Sequence, residues 1–208
     1  MTSPTDLFRR HAPIHPDSLS DYEIWAGLLI KWNPKINLVA AKSMGELWDR
    51  HMLDSAQILP FLTPDASIVA DFGSGAGFPG LAIAIQAKYA HPDRTVHLFE
   101  SVGKKATFLK TVSRETNVPT QVWADRIENV APAGANIITA RAFAPLDRLF
   151  PLANYHLAEG GSLVLLKGRT FRSEIDDAQS DWQFDWRAKP SLTDPDGVVL
   201  QIEGLKSR

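Results

Sequence analysis

The chain has 208 residues, 44% hydrophobic and 22% charged, with a formal net charge of −2 and a sequence pI of about 6.3; this is the profile of a globular domain that can bury one sizeable core. It contains no cysteine, which excludes a disulfide framework, thiolate metal ligands and a cysteine nucleophile. No apolar stretch nears the ~20 residues of a membrane span, residues 1–16 hold no apolar signal core, and the near-neutral net charge confines any nucleic-acid contact to a local basic face; a cytoplasmic protein is expected.

The first predicted helix opens at Ser20-Asp21-Tyr22-Glu23, which has the spacing of a capping box, with Leu19 and Ile24 placed as a hydrophobic staple. Trp25, Leu28, Leu29 and Trp32 then fall on one helical face, and Pro34 ends or kinks the helix. Ser43-Met44-Gly45-Glu46 fits a second capping box before a helical run through His51 to Pro60. Residues 1–62 therefore read as an N-terminal helical extension on a main domain at 63–208, the two making one structural unit.

The apolar strand 67–72 ends in Asp71-Phe72 and runs straight into Gly73-Ser74-Gly75-Ala76-Gly77-Phe78-Pro79-Gly80, followed by a predicted helix over 79–89. Glycines remove the Cβ atoms that keep backbone N–H groups away from a ligand, and the helix N-terminus adds partial positive charge beside them. Gly75 to Gly80 match the dinucleotide pattern G-x-G-x-x-G letter for letter, but the first glycine after the strand is Gly73, and Asp71 disfavours a pyrophosphate. A carboxylate there suits a cation such as an amino-acid ammonium. The next strand, 95–100, ends in Glu100, which can accept from ribose hydroxyls. S-adenosylmethionine (SAM) accounts for both acids, with Asp71, Gly73, Gly75 and Gly77 in the loop. The plainer alternatives are a bare connection with Asp71 as a helix cap, and Glu100 as a surface acid.

The alternation continues with a helix at 104–116, strand 120–123, a helix near 126–131, strand 136–141, helix 146–157, strand 161–167 and helix 173–180. Trp182–Lys189 and Val198–Gly204 read as a final antiparallel pair at the sheet edge. The pattern predicts an α/β chain with a doubly wound, mostly parallel sheet, a C-terminal antiparallel hairpin and the N-terminal helical extension, which favours a Rossmann-like SAM-dependent methyltransferase fold over a plain dinucleotide reductase.

Lys31-Trp32-Asn33, Ile36-Asn37-Leu38, Arg50-His51-Met52-Leu53-Asp54-Ser55, the loop from Asp71 to Gly80, Ser101-Val102-Gly103-Lys104-Lys105, Arg141-Ala142-Phe143-Ala144 and Leu166-Lys167-Gly168 occur in that order over roughly residues 20–170. In them the chain resembles the bacterial small-subunit (16S) rRNA guanine-N7 methyltransferases of the RsmG type, also called GidB. The resemblance implies SAM contacts at Gly73, Phe78, Glu100, the backbone of Ile127 and Glu128, and Arg141. It also implies 16S rRNA, free or in the small ribosomal subunit, as substrate. Glu100 stands where the family more often has aspartate, Ala140 where serine is expected, and the segment after Phe171 carries little of the likeness.

Guanine N7 has a free lone pair at neutral pH, so its methylation requires alignment and electrostatic help rather than a general base. Arg141, at a strand's C-terminal end, is the residue expected to position substrate and transition state; its plainer reading is an ion pair with Asp71, Asp125 or Glu128. RNA contacts are expected at Lys104, Lys105, Lys167 and Arg169, with Phe143 as a base stacker. His51 could approach the site but reads more readily as a packed or capping histidine, and Trp25, Trp32 and Trp48 read as core rather than base platforms. No metal is expected, nor a membrane partner, and a monomer is. The rival readings are a methyltransferase of another RNA or of a small molecule, a non-catalytic RNA-binding assembly factor, and a nicotinamide-dependent reductase.

Overall fold

The computed structural model describes residues 4–208, so the first three positions of the N-terminal stretch lie outside the described residues. Its centre is a seven-stranded sheet in the order β3-β2-β1-β4-β5-β7-β6, built from β1 (Ile68–Phe72), β2 (Thr95–Phe99), β3 (Thr120–Trp123), β4 (Ala135–Arg141), β5 (Leu157–Lys167), β6 (Trp182–Pro190) and β7 (Val198–Ser207). The first five strands are parallel, and β7 pairs antiparallel with both β5 and β6. The strand order reverses between β1 and β4, where open α/β sheets place ligands.

The helices are α1 (Pro4–His11), α2 (Leu19–Ile36), α3 (Asp54–Ala56), α4 (Gly80–Ala90), α5 (Gly103–Thr116), α6 (Leu146–His156) and α7 (Phe171–Ala178). Hydrophobic cores fill both faces of the sheet. One gathers Val69, Val96 and Ile137 with α2, α4 and α5; the other gathers Ala70, Phe72 and Ile138 with α6, α7 and Phe184 of β6. Among the described residues no helix is long and apolar enough to cross a membrane.

The N-terminal segment covers α4, which is apolar all round and is buried from Gly80 to Ala87. The Tyr22 hydroxyl donates to the Ala82 carbonyl at 3.4 Å, and Lys88 donates to Asp21 at 2.8 Å. Gln86 accepts from the His15 N–H at 2.7 Å and donates to Ser18 Oγ at 2.9 Å. Trp25 is fully buried, and its indole N–H donates to the Ala76 carbonyl at 3.0 Å, which ties α2 directly to the glycine loop.

Several local readings change. Neither capping box forms: α2 begins at Leu19, one residue after a short 3₁₀ turn at Pro16–Ser18, with Ser20 already inside the helix. Pro34 does not stop α2, which ends at Asn37 in the left-handed conformation (φ 50°). Ser43 lies in a 3₁₀ stretch (Ala41–Glu46) that leads into a π-helical turn (Leu47–Leu53), and its hydroxyl donates to the Ala40 carbonyl. The helix expected near 126–131 is a single 3₁₀ turn, Ile127–Asn129.

Candidate active site

The glycine loop leaves β1 at its C-terminal end with positive φ at Gly73 (68°), Gly75 (56°) and Gly77 (101°). A Cβ at Gly73 would lie 2.6 Å from Cδ2 of Phe143, whose ring covers it, and one at Gly77 would run still closer into Leu81. Phe143 reaches this position because Ala142 also adopts a left-handed conformation (φ 50°) and folds the chain back after β4. Residues of the loop, the end of β4, the π-helical turn and the β6–β7 connection line one open cleft of about 1180 Å³.

Asp71 is completely buried beneath the loop and does not line this cleft. Its Oδ1 accepts from Thr139, its register partner on β4, at 2.9 Å. Oδ2 packs toward Gly80 at the first turn of α4 without a hydrogen bond. Burial pushes the carboxyl up to about 6, opposed by neighbouring hydroxyls and the helix start.

Glu100 is also buried, its carboxylate fixed by two backbone donors, the N–H of Gly75 at 2.9 Å and that of Val102 at 2.7 Å. It therefore clamps the glycine loop to the start of α5 and retains lone pairs for further donors. Ile127 is buried, with its carbonyl accepting from His156, and Glu128 is exposed; Glu100, Ile127 and Glu128 all lie outside the 1180 Å³ cleft.

Arg141, at the end of β4, is the hub of the cleft wall. Its Nη1 lies 3.0 Å from Asp54 Oδ2, and its guanidinium sits 5.4 Å from the centre of the Phe78 ring. None of Asp71, Asp125 and Glu128, the partners expected from sequence, pairs with it; Asp54 does, because the turn after Leu47 brings that carboxylate against the end of β4. Nη2 donates to His51 Nδ1 at 2.6 Å. A guanidinium has no acceptor, so Nδ1 must be the unprotonated ring nitrogen, and His51 Nε2–H donates to Ser43 Oγ at 2.9 Å. Burial, with Arg141 and Arg50 nearby, pushes His51 down to about 4, so the ring is neutral at physiological pH. His51 stacks on Phe78 at 5.1 Å, and Trp25 meets the same phenyl ring at 4.7 Å.

Asp54 and Ser43 are cleft residues that sequence reasoning did not single out, whereas His51, read as near the site but packed, both lines the cleft and is buried against Phe78. The usable signal was the Arg50-His51-Met52-Leu53-Asp54 run, whose i, i+3 spacing puts His51 and Asp54 on one side of a helical turn.

The expected RNA-contact residues separate. Phe143 and Lys167 line the cleft, whereas Lys104 and Lys105 stand on the first turn of α5 away from it, and Arg169 is exposed beyond the end of β5. Lys167 is already engaged: its ammonium donates to Glu174 at 2.7 Å and to the Ala144 carbonyl at 2.8 Å, anchoring the Arg141–Pro145 turn. The cations at the cleft rim are Lys42 and Arg50, both exposed, with Arg50 paired to Glu46 at 3.2 Å.

Residues 18–195 match the family model described as GidB, rRNA small subunit methyltransferase G. The chain is 47% identical over 186 residues to the ribosomal RNA small subunit methyltransferase G of Paramagnetospirillum magneticum, covering 89% of this chain and 88% of that protein. It is 43% identical over 192 residues to the protein of the same name from Rhodospirillum centenum, covering 92% and 85%. Among solved structures, cofactor-bound Rv0187 from MTB superposes with a TM-score of 0.60 at 13% identity, covering 97% of this chain and 98% of that one. TYW2 of M. jannaschii in complex with AdoMet gives 0.54 at 12% identity, covering 84% and 80%. At such identities these two likenesses speak for the fold alone.

Proposed function

The chain belongs to the rRNA small subunit methyltransferase G family, and from that premise we propose that it transfers a methyl group from S-adenosylmethionine to N7 of a guanine in 16S rRNA. The observation that carries the reading is the convergence of the Gly73–Gly77 loop and Arg141, from the ends of the two central strands, on one cleft whose innermost bases are already engaged.

The residues present fit the cofactor. Positive φ at the loop glycines turns the loop's backbone toward the start of α4, and Glu100 is preset by two amide donors while keeping lone pairs for ribose hydroxyls. The buried Asp71 braces the loop from below and supplies negative potential for an ammonium. Ile127 and Glu128 offer backbone groups to an adenine edge, and Arg141 keeps N–H donors for a carboxylate or for the guanine. When bound, the cofactor supplies an electrophilic methyl group on a sulfonium.

The chain's own task is then alignment and exclusion of water. Guanine N7 attacks with its own lone pair and loses no proton in doing so, so no side chain has to take one. The cleft is consistent with this: both nitrogens of His51 are occupied, Asp54 is paired with Arg141, and Glu174 is paired with Lys167. Arg141 is the group that orients reactants from the end of β4, held by Asp54, His51 and the face of Phe78. Phe143, on the glycine loop, offers a surface for an extruded base, and Lys42, Arg50 and Arg169 are placed for phosphates.

The test is transfer of tritiated methyl to small-subunit rRNA from cells lacking the protein, followed by nucleoside mass spectrometry. A 7-methylguanosine product that disappears in Arg141→Ala is expected. Methylation at another base or position would overturn the N7 assignment, and the absence of any transfer to rRNA or to subunits would overturn the activity.

A further inference from the structure

The β6–β7 connection, residues 191–197, carries none of the sequence motifs that end at Gly168, yet it forms one side of the cleft. Sheet topology puts it there. β7 runs antiparallel to β5 with Val198 opposite Lys167, so the start of β7 lies beside the end of β5. The loop before β7 therefore emerges on the edge where the parallel strands terminate, next to Arg141. Ser191, Thr193, Asp194, Pro195 and Gly197 all line the cleft.

The loop is latched to the same carboxylate that holds Arg141. Asp54 Oδ1 accepts from the Thr193 hydroxyl at 2.7 Å and from Gln57 Nε2 at 2.7 Å, while Oδ2 faces Arg141. Gln57 also donates to Ser191 Oγ at 3.1 Å and accepts from the Leu192 N–H at 2.8 Å. Gln57 is buried, so these bonds fix the loop's base. They leave Leu192, which stands in the chain between the cleft-lining Ser191 and Thr193 and does not itself line the cleft, as an apolar side chain 61% exposed. The loop carries two carboxylates, Asp194 and Asp196, and no cation, whereas Lys42 and Arg50 occupy another part of the rim. Phosphate is thereby directed to the Lys42 and Arg50 side, and the loop suits the apolar faces and N–H edges of bases.

We propose that residues 191–197 form the acceptor-side wall of the cleft, with Leu192 contacting bases of the RNA substrate and Thr193 and Gln57 acting as positioning residues through Asp54. The proposal rests on the rRNA methyltransferase reading. Its consequence is that the acceptor-side wall and the central cation Arg141 are set by one side chain, so a displaced loop misplaces the acceptor while the cofactor loop on β1 stays intact.

The experiment compares Leu192→Ser, Thr193→Val, Gln57→Leu and the conservative Thr193→Ser with the unaltered chain. The readouts are SAM affinity by calorimetry, steady-state kinetics with small-subunit rRNA, and affinity for a labelled rRNA fragment by fluorescence anisotropy. Leu192 is exposed, so its replacement tests the contact without disturbing the fold. The expected result is a KM for RNA raised roughly tenfold in Leu192→Ser and Thr193→Val, the loss of one contact, with SAM affinity within about twofold and rescue by Thr193→Ser. Unchanged RNA affinity and KM in Leu192→Ser and Thr193→Val would overturn the proposal, as would parallel losses of SAM and RNA binding in Thr193→Val and Gln57→Leu. Because anisotropy needs no turnover, an unaltered chain that binds rRNA without methylating it would refute the activity and still decide the loop's role.

Discussion

Replacing His51 with glutamine tests the electrostatic account of the cleft wall. Glutamine keeps a neutral acceptor for Arg141 and a neutral donor for Ser43 but cannot take up a proton. In the native chain His51 is 8% exposed and pushed from 6.5 down to about 4, first by burial and then by Arg141 and Arg50. The unfolded chain therefore protonates this ring before the folded chain does. The stability supplied by the neutral ring is complete above about pH 6.5 and is lost as pH falls toward about 4. At about 1.4 kcal/mol per pH unit, the loss between pH 7.5 and 4.5 reaches about 2 to 3 kcal/mol. For a chain of this size that corresponds to a thermal shift of about 5 to 10 °C.

Asp71 works in the opposite sense. Burial raises it from 3.8 to about 6, so the folded chain binds that proton more readily and gains stability as pH falls through this window. The two groups largely offset each other in the native chain, and the glutamine variant should unmask the Asp71 contribution. Urea or thermal unfolding of both proteins at pH 7.5, 6.5, 5.5 and 4.5 provides the measurement. The stability gap between native and His51→Gln should close or reverse by about 2 to 3 kcal/mol on acidification. Two parallel pH profiles would refute the assignment of a neutral, Arg141-bound ring.

Asp54→Asn should lower urea stability by about 2 kcal/mol, less than a fully buried pair would lose because both partners are partly exposed; unchanged stability would show that Arg141 does not depend on this carboxylate. Gly73→Ala meets Phe143 at 2.6 Å and holds alanine at φ 68°, so it should cost about 1 to 2 kcal/mol of stability and weaken SAM binding at least about tenfold by calorimetry. Native SAM affinity in that variant would remove Gly73 from the site. Lys167→Met should destabilise the chain by about 2 kcal/mol, by freeing Glu174 and the Ala144 carbonyl, while changing rRNA affinity less than about twofold; a large loss of RNA affinity at low salt would restore Lys167 as a phosphate contact. Trp25→Phe removes the bond to Ala76 and should cost about 1 kcal/mol, with faster amide exchange in the glycine loop as the specific sign that α2 braces it.

What the sequence made legible is what local chemistry decides. The β1 to α4 unit could be read directly because a continuous apolar strand, glycines that take positive φ and an apolar helix are each specified by neighbours in the chain. The C-terminal hairpin was legible for the same reason, two runs with turn residues between them. The capping boxes failed where a local pattern met a tertiary competitor. Pro16 starts a turn that fixes the α2 entry ahead of Ser20, and the Ser43 hydroxyl is taken by Ala40 and His51. The segment from Leu47 to Leu53 forms a π-helical turn, which has no 3.6-residue repeat to announce it, and that turn carries Arg50 and His51 to the cleft.

The identity of Arg141's partner belongs to a different class of information. Asp71, Asp125 and Glu128 were reasonable expectations because each stands near the C-terminal end of a strand or the turn after it, the edge where Arg141 also lies. What excludes them is position in depth and across the sheet: Asp71 is sealed below the loop against Thr139, and Asp125 binds the Arg126 N–H and Asn129 at the start of the turn after β3, which β2 and β1 separate from β4. Asp54 wins because the N-terminal segment must cross the end of β4 on its way from covering α4 to entering β1, and because β7 inserts beside β5 and brings Thr193 to the same carboxylate. An ion pair at the centre of the cleft is thus a consequence of strand order. It follows that a chain with an intact glycine loop but a disordered β6–β7 edge should still bind SAM while losing its grip on the acceptor, which is the separation that the Thr193 and Leu192 variants are designed to measure.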